Sequence, residues 1–152
     1  MAAAPKHKLN LSVQYADERL KEVLTRPLLR KTIQAALFFP ADLTLRIVDA
    51  EEGQILNRDY RGKDYATNVL TFAYTEDSDA EVTQADIILC TDVLEKEAKE
   101  QKKTVLEHAQ HLVVHGVLHA QGYDHEDDEE AEEMEALEIE ILEGLGLKNP
   151  YL

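Results

Sequence analysis

The chain has 152 residues and a net charge of −15, with 44% hydrophobic and 31% charged residues. This length suits one well-filled core and is short for two, so we expect a single domain over residues 1–152. No apolar run reaches the length of a membrane span, and the first nine residues lack the apolar stretch of a signal peptide. The single cysteine, Cys90, cannot form an internal disulfide and is expected to be a small core residue. These features predict a cytoplasmic protein with no membrane partner.

The acidic residues are concentrated near the C-terminus. Residues 124–143 hold twelve of the 31 acids and no Lys or Arg, which leaves 19 acids against 16 bases elsewhere. An acidic protein repels the phosphate backbone, so strong non-specific binding to nucleic acid is excluded and DNA is not expected as a partner. A nucleic-acid substrate would need a local basic patch. The acidic run is interpreted as a solvated helix face, with contact to a partner as the alternative.

The apolar pattern predicts alternating strands and helices along the chain. Strands are expected over residues 9–15, 43–47, 69–74 and 86–90. Helices are expected from Pro27 onward, from a cap at Thr91 or Asp92 to about Lys102, from a cap at Thr104 to about Ala120, and over about 128–143. The strand-rich first half and helical second half predict an α/β (α+β) fold with a mixed sheet packed by helices.

The most informative segment is residues 111–125, HLVVHGVLHAQGYDH. Residues four apart share a helix face, so His115 and His119 can direct ring nitrogens at one point. Gly122 can end that helix in a left-handed turn, which would bring His125 to the same point. Three neutral imidazoles leave a fourth tetrahedral position for water, as in catalytic zinc sites. We therefore predict one zinc ion per chain, bound by His115, His119 and His125.

The same residues allow two alternatives to a catalytic zinc site. His108 and His111 continue the histidine face, as incidental histidines would, but they are interpreted as packing or supporting residues because the spacing of the other three rarely arises by chance. The spacing also matches the zinc-protease pattern H-E-x-x-H-x-x-G-x-x-H, except that Gly116 replaces the Glu that activates water. Glycine cannot accept a proton, so a metallopeptidase is a distant alternative.

The histidine segment resembles the signature of the YbeY family, bacterial endoribonucleases and rRNA maturation factors. Residues 56–72, LNRDYRGKDYATNVLTF, are similar to a second block of that family, and residues 85–89, ADIIL, resemble a third. The resemblance spans nearly the whole chain. The departures are mild: Ala66 replaces the usual Pro, Thr71 the usual Ser and Ala85 the usual Gly. Asn68 stands where many members have Asp.

The resemblance implies a four-stranded mixed sheet with about five helices and one metal ion, usually zinc. It also implies a zinc-dependent, single-strand-specific endoribonuclease that acts in rRNA processing, at the 3′ end of 16S rRNA, and in ribosome quality control. The expected partners are single-stranded rRNA and the ribosome or a ribosomal protein. The alternative is a ribosome-associated assembly factor in which the metal is mainly structural.

The chemistry of phosphodiester cleavage points to further residues. A guanidinium binds phosphate bidentately and stays charged, which together with the resemblance indicates Arg61 as a catalytic residue. The neighbouring candidates for substrate binding are Arg58, Lys63 and Asn68. Tyr60 and Tyr65 could stack on unpaired bases, although burial in the core is the favoured interpretation. The general base stays open between Asp86, Asp124 and a 2′-hydroxyl of the substrate.

Overall fold

The computed structural model describes residues 7–74, 82–123 and 127–151 of the chain. These ranges form four strands and five helices. In chain order they are β1 (Leu9–Tyr15), α1 (Arg26–Ala35), β2 (Ala41–Val48), α2 (Ala50–Arg61), β3 (Val69–Ala73), β4 (Thr83–Cys90), α3 (Thr91–Glu100), α4 (Val105–Ala120) and α5 (Asp128–Gly144).

The four strands form one mixed sheet in the order β1-β2-β4-β3. Strands β1, β2 and β4 are parallel, and β3 pairs antiparallel with β4 at one edge. The predicted α/β fold with a four-stranded mixed sheet and about five helices is confirmed. Within the described ranges, none of the helices is long and apolar enough to cross a membrane.

Side chains alternate between the two faces of the sheet, and each face has its own apolar cluster. The larger cluster includes Leu43, Leu45 and Ile47 of β2 and the buried face of α4, with Val113 and Val117. The smaller cluster lies on the other face, where α2 packs. Its buried members are Val48, Leu70, Ile88 and Cys90. The prediction that Cys90 is a buried core residue is confirmed.

Helix α2 was not predicted from the sequence. It begins after Asp49, whose carboxylate accepts the Glu52 amide at 3.0 Å, and it ends at Gly62 with φ +70°, in the left-handed region. Both are ordinary helix-end signals. Only Gly53 and Asn57 of this helix are buried, and neither is a large apolar residue.

The predicted cap of α3 was wrong. Cys90 occupies the N-cap position and its side chain makes no capping hydrogen bond. Thr91 instead donates to Asp17, and Asp92 accepts the Ala50 amide at 2.6 Å at the start of α2. Both side chains are used for tertiary contacts that local sequence does not show. The helix also ends at Glu100, two residues before the predicted end.

Candidate metal centre

Helix α4 presents the two histidines of the predicted metal site on one face. Thr104 caps its N-terminus in a reciprocal capping box with Glu107, as the sequence predicted for Thr104. The ring centroids of His115 and His119 are 4.8 Å apart. Gly122 follows the helix with φ +100°, in the left-handed region expected of a turn. The structure therefore brings His115 and His119 together at the end of α4 where the chain turns.

The other two predicted residues of this segment, Asp124 and His125, lie outside the described residues. Within residues 7–74, 82–123 and 127–151, no group of three His, Cys, Asp or Glu side chains could hold a metal ion. The three-histidine site with His125 therefore stays a prediction.

A buried glutamate of α5 contacts the first of these histidines. Glu138 has 0% of its surface exposed, and its Oε1 lies 2.5 Å from His115 Nδ1. Its Oε2 accepts from Tyr151 Oη and, at 3.4 Å, from His111 Nε2. Burial alone would raise the pKa of Glu138, but the hydrogen bonds from His111, His115 and Tyr151 outweigh it and hold the pKa at about 2.

This contact fits a metal-binding role for His115. Metal-bound histidines usually donate their other ring N–H to a carboxylate or carbonyl, which fixes the tautomer and raises the basicity of the ligand. With Nδ1 directed at Glu138, Nε2 is the nitrogen that could bind an ion. The sequence reasoning missed Glu138 and Tyr151. A signal for Glu138 existed, since it stands four residues after Met134 and four before Leu142, both buried.

His108 and His111 are engaged in contacts of their own. His108 is 3% exposed and its Nε2 donates to Glu97 Oε1 at 2.9 Å. Burial lowers the pKa of His108 below its ordinary value, although the Glu97 carboxylate acts in the opposite direction. Among the described residues, Nδ1 of each of these two rings has no hydrogen-bond partner. His111 therefore agrees with the interpretation as a supporting residue, since it bonds to Glu138, whereas His108 agrees with the interpretation as a buried packing residue.

Gly116 packs directly against the sheet. A Cβ atom at this position would lie 3.1 Å from Ile87 Cγ2 and 3.2 Å from Thr71 Oγ1. The side of α4 that carries position 116 is therefore filled by β3 and β4. A side chain at 116 would require Ile87 and Thr71 to shift, so the position that holds the water-activating residue in the zinc-protease pattern is packed against the sheet in this protein.

A cleft of about 420 Å³ adjoins His115. It is lined by polar side chains of α3 and α4, by the segment before β3 and by the C-terminal residues Pro150 and Tyr151. Asn68 is one of the lining residues, and its Nδ2 donates to Glu97 Oε1 at 3.0 Å. Asn68, one of the residues predicted to bind substrate, therefore lies in the same cleft as His115. Its amide group is already hydrogen-bonded to Glu97.

The basic cluster lies at the end of α2. Arg58, Arg61 and Lys63 are all exposed. Arg58 pairs with Asp59 at 3.3 Å, whereas Arg61 makes no side-chain hydrogen bond or ion pair to any residue that the structure describes. The guanidinium of Arg61 is therefore available to a ligand.

The expected burial of Tyr60 and Tyr65 was wrong. Tyr60 is 70% exposed and Tyr65 is 55% exposed. The Tyr60 ring packs at 5.0 Å, between centroids, on Phe72 of the edge strand β3. Both tyrosines belong to the end of α2 and the following loop, where no further layer covers them. The rings are thus accessible to unpaired bases.

Asp86 lies on the face of the sheet that is opposite to α4. It pairs in register with Phe72, which contacts α2, whereas the neighbouring Ile87 pairs with Thr71 beneath α4. Asp86 accepts a hydrogen bond of 2.5 Å from Tyr74 Oη, and this bond raises the pKa of Tyr74. The sheet separates Asp86 from His115, so the structure does not bring this candidate base to the histidines.

The fold and the site define a small α/β protein with helix-borne histidines of the kind that hold metal ions in hydrolases. Residues 3–146 match the sequence model of the family described as Endoribonuclease YbeY. The chain is 74% identical over 147 residues to an Endoribonuclease YbeY from Janthinobacterium sp. (strain Marseille), with 97% of each chain covered. It is 71% identical to the Endoribonuclease YbeY of Herminiimonas arsenicoxydans, covering 96% of this chain and 97% of the relative.

A solved structure agrees with the sequence relatives. The solution structure of a Thermotoga maritima protein is similar with a TM-score of 0.55 and 25% identity, and the similarity covers 91% of both chains. The chain therefore belongs to the endoribonuclease YbeY family, a family of RNA-cleaving hydrolases.

Proposed function

We propose that this protein is a zinc-dependent endoribonuclease specific for single-stranded RNA. The observation that carries the proposal is the bond between His115 and the buried Glu138, in a chain that belongs to this family. A carboxylate that is removed from water and aimed at one nitrogen of a histidine is the surrounding expected of a metal ligand. His115 and His119, with His125, would hold the ion. When bound, zinc supplies a Lewis acid that activates water near neutral pH.

Arg61 is the residue proposed to act on the substrate phosphate. Cleavage of a phosphodiester builds negative charge on the oxygens attached to phosphorus, and a preorganised cation stabilises that charge. The Arg61 guanidinium is exposed and unpaired within the described residues, so no bond must break before it binds phosphate. Its fork of N–H donors matches two phosphate oxygens at once. Arg58 and Lys63 would contact neighbouring phosphates.

The proposed preference for single-stranded RNA is supported by exposed aromatic rings. The exposed rings of Tyr60 and Tyr65 offer stacking surfaces for unpaired bases. The proton acceptor is proposed to be Asp124 or the 2′-hydroxyl of the substrate, because Asp86 lies across the sheet.

The direct test is cleavage of a labelled single-stranded RNA by the purified protein. Wild type should cut it, whereas the same sequence in duplex RNA or single-stranded DNA should stay intact. The His115→Ala protein, purified in parallel, should show no cleavage, which also excludes a contaminating nuclease. Equal cutting by wild type and His115→Ala would refute the proposal.

We also propose that the cellular substrate is rRNA in the cytoplasm, at the 3′ end of 16S rRNA, with a role in ribosome quality control. With a net charge of −15, the chain can neutralise few phosphates. Binding to free RNA should therefore be weak, with a log–log salt slope that corresponds to about two or three contacts. Selectivity would come from a ribosomal partner, so 30S or 70S particles should be cut more site-selectively than free rRNA. A steep slope, or equal selectivity on free rRNA, would contradict this.

A second candidate function is a ribosome-associated assembly factor with a mainly structural metal. The outer faces of α5 favour it, because all its acidic residues other than Glu138 are exposed and could contact a basic ribosomal protein. In that case the purified protein would bind ribosomal particles but leave single-stranded RNA uncut.

A further inference from the structure

The buried carboxylate of Glu138 is unusual for its helix. Every other Asp and Glu of α5 is exposed, whereas Glu138 has no exposed surface. Burying a charged carboxylate costs several kcal/mol unless it is paired and hydrogen-bonded. The neighbours on the same helix face, Met134 and Leu142, fill the core without that cost. Packing of α5 alone therefore does not account for an acid at position 138.

The three partners of Glu138 divide its two oxygens between them. Tyr151 and His111 both bond to Oε2, the former from the C-terminal segment and the latter from α4. Oε1 is bonded to His115 alone among the contacts that the structure gives. Two donors thus fix the carboxylate, and its second oxygen is left to the histidine of the candidate metal centre.

The contact dictates which nitrogen of His115 carries the proton. An ionised carboxylate only accepts hydrogen bonds, so a separation of 2.5 Å from Nδ1 requires a proton on Nδ1. In a neutral imidazole the other nitrogen, Nε2, then holds the lone pair. This is the form of the ring that a metal ion needs.

We propose that Glu138 is a positioning residue that holds His115 in the Nδ1-protonated tautomer, with its ring turned to receive the metal ion. This inference rests on the proposed metal centre and adds a residue to it from a separate helix. Tyr151 and His111 hold the carboxylate in turn. Glu138 acts through His115 and does not touch the substrate or the ion.

The first test needs no variant. Long-range ¹H–¹⁵N spectra of the histidine rings in zinc-free wild type should show His115 as the Nδ1-protonated tautomer. A dominant Nε2-protonated ring would overturn the proposal. Because this measurement uses the native chain, it stands even if a substitution at the buried position prevents folding.

The second test is zinc affinity, measured by competition with a chromophoric chelator. Glu138→Gln keeps the shape but removes the charge, and its amide can accept from or donate to Nδ1, so both tautomers should appear. Zinc should bind about 10- to 100-fold more weakly than to wild type. The matched control is Glu140→Gln, the same change at an exposed position of α5, which should bind zinc within about twofold of wild type.

The outcomes separate this inference from the proposed function. If Glu138→Gln is less stable but binds zinc like wild type with an unchanged tautomer, Glu138 is only structural and the inference fails while the metal centre stands. If wild type binds no zinc at all, the proposed metal dependence fails first. A loss of affinity in Glu138→Gln with wild-type binding in Glu140→Gln supports the inference.

Discussion

The candidate functional residues on the α4 face of the sheet differ in burial and bonding from those at the end of α2. On the α4 face, polar groups are buried or partly buried and bonded to one another, as His115 is to Glu138 and His108 is to Glu97. On the α2 face and at the end of α2, the candidates are exposed, and Arg61 is unpaired within the described residues. A metal ion needs ligands held in one geometry, whereas a phosphate must be able to enter and leave. The α4 face thus has histidines held by hydrogen bonds, as the proposed metal ion needs, and the end of α2 has an exposed cation, as the proposed contact with phosphate needs.

The largest effect should follow removal of the two α4 ligands. Elemental analysis of wild type should find about one zinc per chain, and His119→Ala should lose most of it. The His115→Ala/His119→Ala protein should lose nearly all zinc and all RNA cleavage. His7→Ala, a histidine distant from α4 in the chain, serves as the control and should keep the wild-type content. Full zinc retention in the double variant would refute the assignment of these ligands.

The next effect concerns the position where zinc proteases carry glutamate. Gly116→Glu should destabilise the protein by at least about 3 kcal/mol, because the side chain would meet Ile87 and Thr71 and bury an unpaired carboxylate. Gly144→Glu is the matched control, since nothing lies within 4 Å of a Cβ there, and it should change stability by less than about 1 kcal/mol. Denaturant unfolding measures both. A Gly116→Glu protein as stable as Gly144→Glu would contradict this prediction.

A smaller effect on RNA cleavage should follow removal of Arg61, and it should leave the zinc content unchanged. Arg61→Ala should lower RNA cleavage by roughly 10²-fold, which corresponds to about 2.7 kcal/mol, because one cation is lost from the transition state. Zinc content and melting temperature should stay at wild-type values, since the exposed side chain holds nothing in the fold. Arg61→Lys should restore only part of the cleavage rate. Arg58→Ala should lower the rate less than Arg61→Ala does, because Arg58 is already paired with Asp59. Unchanged cleavage by Arg61→Ala would remove it from the catalytic residues.

The smallest effect is a pH dependence of stability on the α4 face. Burial holds the pKa of His108 below its ordinary value of 6.5, so the unfolded chain takes up this proton first as the pH falls. The contribution of His108 to stability is therefore complete above about pH 6.5 and declines as the pH drops below it. Urea unfolding of zinc-free protein between pH 8 and pH 5.5 should show a shallower decline in His108→Gln than in wild type. His7→Gln is the control, and an identical decline in all three proteins would contradict the prediction.

Much of the fold was determined by local sequence. The alternation along residues 9–15 and the Thr104 cap before α4 are properties of neighbouring residues, and the structure has both. Spacing also brought His115 and His119 together, because residues four apart meet on any helix. Helix α2 was not predicted, although the signals at its ends, Asp49 and Gly62, are also local.

Only the tertiary structure decided which residues stand beside the histidines. Glu138 and Tyr151 contact the site from α5 and from the C-terminal segment. The apolar periodicity of a helix does not predict which of its positions will contact another helix. Asp86 was a candidate base until strand register placed it on the opposite face, since a strand sends successive side chains to opposite sides. Sequence determines what a segment does with its neighbours within a few residues. Contacts between distant segments depend on how whole helices and strands pack. This packing determines which residues contact His115.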